Sequence, residues 1–137
     1  DLIDQADENL LHDISRQLLD MGSKIILIKM GHKGVYLRTA GKEKLAEMGL
    51  VHPSDLEVWA DRTIVQPAFP VVVRGTCGSG DSCIAGFLAS LIRDLSPEDA
   101  LKMAVAAGSS CCEKPDSFSG LMTWDQLSQR IEAGWKK

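Results

Sequence analysis

Between Val71 and Leu91 the chain reads VVVRGTCGSGDSCIAGFLASL. An apolar run of strand length leads into a turn carrying Gly75, Gly78 and Gly80, then into Asp81, then into an apolar segment with helical spacing. Few folds accept such a stretch. Glycines let a bulky group approach the backbone, and a helix N-terminus offers unpaired N–H groups with a partial positive charge. A strand, this turn and a helix therefore form a cradle for an anion, and phosphate is the natural guest. The other reading is a tight turn closing a βα unit, with Asp81 an ordinary acid at a helix start. A carboxylate beside bound phosphate repels it unless it has work to do. If a hydroxyl attacks a phosphorus held by Gly78, Ser79 and Gly80, Asp81 can orient that hydroxyl and accept its proton.

Competing motifs fail residue by residue. A Walker A loop needs Lys and Ser or Thr after its spacer, and no lysine follows Gly80. A dinucleotide fingerprint beginning at Gly78 needs a third glycine where Cys83 stands. The string GDSC resembles the surroundings of a serine-protease nucleophile, but the helix pattern is wrong and no His/Asp set is placed for it. Cys77 has no evident histidine partner.

The rest of the chain bounds the answer. Its 137 residues, 45% hydrophobic, suffice for one domain with a core. The net charge of −4 comes from 15 basic and 19 acidic residues, interspersed, so no basic face suits nucleic acid and no polybasic segment suits a membrane. Cys77, Cys83, Cys111 and Cys112 form no C-x-x-C pair, and His12, His32 and His52 are isolated. Reduced cysteines, a cytoplasmic location and no metal site in this chain are expected. The longest apolar run, Cys83 to Ile92, is too short to span a bilayer, and no signal-peptide pattern opens the chain. The chain begins on Asp1 and enters a helical pattern almost at once, which suits one part of a longer protein.

Periodicity places the elements. Leu10, Leu11, Ile14 and Leu18 define a helix that Gly22 ends. KIILIKM has the unbroken apolar character of a strand buried on both faces, as in parallel or mixed sheets. The GHKG turn, Gly31 to Gly34, links it to VYLRT, and a link this short permits only an antiparallel hairpin. Residues 40–62 look like a surface excursion with a short helix at most. TIVQPAFPVVVR supplies two short strands broken by Pro67 and Pro70. Ile84, Phe87, Leu88 and Leu91 form one face of the helix after the glycine turn. Ser96 caps a second helix with Pro97 at its first position, and Leu101, Ala104, Val105 and Gly108 share its stripe. Thr123 opens a last helix with Trp124, Leu127 and Ile131 inward.

GTCGSGDSCIAGF resembles the hallmark of the ribokinase-like (PfkB) carbohydrate kinases, D-T-x-G-A-G-D followed by a helix. Thr76, Gly78, Gly80 and Asp81 match, Ser79 replaces alanine, and Gly75 stands in place of the first aspartate. ILIKMGHKGVYLRT, ALKMAVAAGSSCCE and SGLMTWDQL resemble further family segments in the right order. The resemblance implies an α/β fold, the C-terminal portion of a three-layer α/β/α sandwich, with residues 1–137 a single domain that is the ATP-binding and catalytic part of a larger kinase. It implies transfer of the γ-phosphoryl group of ATP to a sugar hydroxyl, with Asp81 as general base and the amides of Gly78, Ser79 and Gly80 as anion hole. Gly31 and Gly34 are expected at the nucleotide phosphates with Thr76 and Lys29, unless Lys29 is a plain strand-end lysine. Ala107 and Gly108 are expected at the adenine, unless they only pack helices.

Mg2+ is the implied metal, its family motif N-x-x-E lying in an N-terminal half, as do the sugar-binding residues and a small lid through which a homodimer can form. In many relatives the aspartate replaced here by Gly75 helps build a monovalent-cation site beside the anion hole. Two other readings stay open: a kinase of vitamin-like alcohols of the pyridoxal or hydroxymethylpyrimidine type, and a nucleotide-binding module without turnover.

Overall fold

The computed structural model describes residues 2–137. A short helix α1 (Leu2–Gln5) precedes α2 (Glu8–Asp20), which Asp7 caps by accepting the Leu10 amide at 2.8 Å. Strands β1 (Ile25–Lys29) and β2 (Val35–Thr39) form the expected antiparallel hairpin, with Leu27 opposite Leu37 and Lys29 opposite Val35. One 3₁₀ turn, Gly31–Lys33, makes the link, and Gly34 closes it with φ +98°. Two short helices, α3 (Lys42–Leu45) and α4 (Leu56–Trp59), lead to β3 (Thr63–Gln66), which pairs antiparallel with β2. Three helices complete the chain: α5 (Ser79–Ile92), α6 (Pro97–Cys111) and α7 (Trp124–Glu132).

The sheet order is β1-β2-β3, so β1 and β3 are its edges. Alternation along the strands sends one set of side chains to each face. Val35, Leu37, Ile64 and the half-buried Ile25 and Leu27 meet α5 and α6 through Cys83, Phe87, Leu101, Ala104 and Val105. Tyr36 and Ile28 meet α2 through Leu11. The result is helix, sheet, helix, the three layers expected. The strand pairing is antiparallel throughout these three strands, whereas the apolar run of β1 reads as belonging to a parallel or mixed sheet. Within this chain β1 is an edge strand on which only Ile26 is buried, and a groove runs along Ile25 and Leu27.

α6 is the central element. From Ala100 to Cys111 every residue except Lys102 is buried. Its small residues permit this: a Cβ on Gly86 of α5 would stand 3.1 Å from the Ala107 Cβ and 3.0 Å from the Met103 carbonyl oxygen. Its start follows the expected chemistry, with Ser96 Oγ accepting the Asp99 amide at 3.2 Å. α7 opens on a capping box between Thr123 and Gln126.

Four expectations are corrected. Val71 to Arg74 form no strand; the segment runs alongside α6, with the Arg74 amide donating to the Cys112 carbonyl at 2.8 Å and Val72 and Val73 exposed. Pro67 and Pro70 deprive the approach of donors, and β3 ends before them. Residues 40–62 are more than a surface excursion, because Leu45 and Trp59 are sealed in the main core and the Trp59 indole donates to the Leu95 carbonyl at 3.2 Å. In α2 the buried residues are Leu11 and Ser15, with Leu10 and Ile14 exposed. In α5 the inward face is Ser82, Cys83, Phe87 and Ser90, while Ile84 and Leu88 lie outside it. No helix among the described residues is long and apolar enough to cross a membrane.

Candidate active site

α5 begins where the glycine turn ends. Gly78 is its N-cap, in the left-handed region at φ +77°, and no side chain caps it. A Cβ there would run into Ser117, so the position needs glycine on both counts. The Ser79 hydroxyl donates to the Thr76 carbonyl at 2.8 Å, which tightens the turn. The Ser79 amide also donates to the Thr76 carbonyl, at 3.3 Å, and Gly80 carries no side chain to cover its own amide.

Lys29, the last residue of β1, reaches this same place. Its ammonium nitrogen lies 2.7 Å from where a Gly80 Cβ would be. A cation beside the positive end of a helix is unfavourable unless an anion joins them. Burial holds the neighbouring Cys83 thiol's pKa above its ordinary value, against a smaller pull downward from Lys29.

A cavity of about 450 Å³ opens here. Lys29, Gly31, Gly34, Thr76, Ser79, Gly80 and Gly108 are among the residues that line it. A Cβ on Gly108 would stand 3.0 Å from the Ser79 carbonyl oxygen, so its lack of side chain brings α6 against the start of α5. Gly34 is equally constrained, since its φ of +98° and the Gln66 carbonyl leave no room for a side chain. Gly78 and Asp81 are on the turn just outside the lining, with the Asp81 side chain exposed in the first turn of α5.

Ala107 and Gly108 are placed differently from each other. Ala107 does not line the cavity; it is buried with Met103, Ala106, Leu127 and Trp135 and meets Gly86 across the α5–α6 contact. The periodicity of α6 explains this, because neighbouring residues of a helix point about a quarter-turn apart and Gly108 takes the cavity side.

The apolar wall of the cavity holds residues that the motif search left out: Ala68, Phe69, Pro70, Val71, Val105 and Ser109. The Phe69 amide donates to Ser109 Oγ at 3.2 Å, and the Phe69 ring stacks on Trp135 with centroids 4.5 Å apart. The Trp135 indole donates to the Pro70 carbonyl at 3.0 Å. Arg130 lies over the Trp135 ring and forms a two-pronged pair with Glu113, both contacts 2.7 Å. The signal in the sequence is the P-A-F-P segment before the glycine turn: its prolines fix an irregular chain that presents one flat aromatic.

Fold and cavity together define the ribokinase-like class. The pfkB family carbohydrate kinase pattern matches residues 2–124. The chain belongs to the pfkB family of carbohydrate kinases. It is 26% identical over 120 residues to 2-dehydro-3-deoxygluconokinase of Bacillus subtilis (strain 168), covering 88% of this chain and 31% of that protein. In three dimensions it is similar to Arabidopsis thaliana ribokinase complexed with ribose and ATP, with a TM-score of 0.73 at 21% identity, over 92% of this chain and 35% of that one. It is similar also to Escherichia coli phosphofructokinase-2 in complex with potassium, with a TM-score of 0.67 at 20% identity, over 96% and 36%. The chain thus spans about a third of the length of the relatives it matches.

Proposed function

We propose that this chain is the ATP-binding and catalytic portion of a carbohydrate kinase, which moves the γ-phosphoryl group of ATP to a sugar hydroxyl. One observation carries the reading: Lys29, whose ammonium reaches the first turn of α5, lines the same cavity as Gly31, Gly34, Thr76 and the apolar Ala68, Phe69, Val71 and Val105. A phosphate tail and a flat base need those two environments. Phe69, Val105, Gly108 and Ser109 take the adenine; Lys29, Gly31, Gly34 and Thr76 take the phosphates. The ribokinase complexed with ATP supports the assignment by its similar fold.

In the transfer step the sugar oxygen attacks the γ-phosphorus. The bond from that phosphorus to the bridging oxygen breaks, and ADP leaves with the electron pair. The hydroxyl proton passes to the Asp81 carboxylate, which stands exposed beside the cradle. Charge on the transferred oxygens would be met by the amides of Gly78, Ser79 and Gly80 at the start of α5, the Ser79 amide giving up its bond to the Thr76 carbonyl as it turns to the phosphate. Mg2+ would enter on the ATP phosphates, where one or two carboxylates suffice to hold it, and would offset charge on the transferred group.

The test is ADP release by the complete natural polypeptide across a panel of sugars and acidic sugars, with 2-dehydro-3-deoxygluconate included. Transfer to at least one of them is expected. Transfer only to pyridoxal or hydroxymethylpyrimidine would place the protein with the kinases of vitamin-like alcohols. ATP binding without transfer to any alcohol would leave a nucleotide-binding module.

A further inference from the structure

Residues 67–73 lie outside every strand and helix, and Pro67 and Pro70 have no N–H to give to a neighbour. Yet Ala68, Phe69, Pro70 and Val71 form much of the apolar wall of the cavity. Two hydrogen bonds tie this irregular segment to the helical layer: the Phe69 amide donates to Ser109 Oγ at 3.2 Å, and the Trp135 indole donates to the Pro70 carbonyl at 3.0 Å. Ser109 lines the cavity itself; Trp135 does not.

Trp135 follows the end of α7 and is only 5% exposed, buried with Met103, Ala106, Ala107 and Leu127. Its φ is +43°, in the left-handed region, which a bulky residue keeps only where its surroundings hold it. They hold it closely. The ring stacks on Phe69 with centroids 4.5 Å apart, and the Arg130 guanidinium lies 4.0 Å from the ring centroid. Arg130 is fixed in turn by both carboxylate oxygens of Glu113, and it donates to the Lys136 carbonyl at 3.2 Å. Glu113 follows Cys112, whose carbonyl accepts the amides of Arg74 and Gly75 at 2.8 and 3.3 Å. The clamp around Trp135 thus meets the irregular segment at Phe69 and Pro70 and, through the neighbour of Glu113, where it enters the glycine turn.

We propose that Trp135 is a positioning residue: by stacking on Phe69 and holding the Pro70 carbonyl, it fixes the apolar wall against α6 and so sets the slot that receives the nucleotide's base. The inference rests on reading the cavity as the nucleotide site. Trp135 acts on binding and not on the transfer step, so its loss weakens the hold on ATP and leaves turnover at saturation unchanged.

Trp135→Ala and Trp135→Phe are made in the complete natural polypeptide. For each, kcat and the KM for ATP are measured with the best acceptor, and hydrogen exchange at the Phe69 amide is followed in nucleotide-free protein. Trp135→Ala should raise the KM for ATP about tenfold with kcat within about twofold of the parent. Trp135→Phe keeps an aromatic face but loses the indole N–H, so its KM should fall between the two. A tryptophan that only supports the fold would lower the fraction of folded enzyme, and with it the apparent kcat, at unchanged KM; that pattern would overturn the proposal. Where the alanine variant does not fold, the phenylalanine variant decides, with a KM rise of about threefold expected and an unchanged KM against it. Exchange at Phe69 should quicken in both variants more than at the amides of α6, and parent-like exchange would also count against the proposal. A parent that neither binds nor uses ATP would contradict the proposed function, while exchange at Phe69 would still decide whether Trp135 fixes the wall.

Discussion

Gly80 and Gly34 are both glycines without room for a side chain, yet they fail differently when changed. The atom nearest a Gly80 Cβ is the tip of Lys29, the free end of a flexible side chain, and Gly80 does not sit at positive φ. Gly80→Ala should therefore fold with less than about 1 kcal/mol of lost stability while displacing the ammonium from the cradle. Affinity for ATP should fall about tenfold, and Lys29→Met should reproduce that loss, as expected for a charge-assisted contact to phosphate. Calorimetric titration of both variants checks this; normal affinity in each would remove Lys29 from the phosphate site. At Gly34 the obstacle is the rigid Gln66 carbonyl, and the φ of +98° strains any L side chain. Gly34→Ala should cost roughly 2 kcal/mol or more in a urea titration. Unchanged stability would mean that the β1–β2 turn can rearrange.

At the scale of elements, the loop after α6 responds to acid. Asp116 accepts three hydrogen bonds, from the Ser119 hydroxyl and the Ser119 and Phe118 amides, which lower its pKa from 3.8 to about 2. Glu113, hydrogen-bonded to Arg130, is lowered as well. A carboxylate lowered by folding stabilises the fold fully above its unfolded pKa and loses that contribution as pH falls through its folded one. Stability from Asp116 is thus present above about pH 4 and drains away toward pH 2. Asp116→Asn should destabilise the protein at neutral pH and make little difference near pH 2. Equal loss at both pH values would show that the contacts, not the charge, carry the effect.

The same elements show what the sequence could disclose. The caps at Ser96 and Thr123 and the β1–β2 hairpin were legible because their chemistry is local: a hydroxyl, an amide three residues on, a link too short for anything else. The faces of α2 and α5 were not. Apolar residues cover a wide arc of α5, and packing against α6 selects the side where Ser82, Gly86 and Ser90 allow close approach, leaving Ile84 and Leu88 outside. Val71 to Val73 read as a strand from composition, but pairing needs a neighbour, which is a property of distant residues. The glycine turn could be read as a turn into a helix start, because left-handed Gly78 and the start of α5 define it locally. The apolar wall at Phe69 and Ser109 depends on how α6 meets an irregular segment 40 residues away.

The whole molecule carries an apolar flank. Ile84, Leu88 and Leu91 of α5 line a groove with Ile25, Leu27 and Met48 on the edge-strand side, and Ile92 is 73% exposed. Val72 and Val73 add exposed surface near the cradle. Exposed apolar area of this kind promotes association. Purified by itself, the 137-residue chain should self-associate and bind a hydrophobic dye, whereas the variant with Ile84 and Leu88 both changed to Gln should do so less. A monodisperse monomer that ignores the dye would show that the flank is covered in solution. The isolated chain should also phosphorylate sugars poorly, because transfer depends on holding the acceptor against the γ-phosphate and this chain is about a third of its relatives' length.

The central claim is that Asp81 takes the proton while the turn before it holds the phosphate. Asp81→Asn in the complete natural polypeptide separates the two, since it removes the base and keeps the backbone of the cradle. With the best sugar from the panel, turnover should fall about a hundredfold or more while ATP affinity stays within a few-fold of the parent. Turnover close to the parent's would contradict the account, and equal losses in turnover and ATP affinity would show that Asp81 supports the cradle and is not the base.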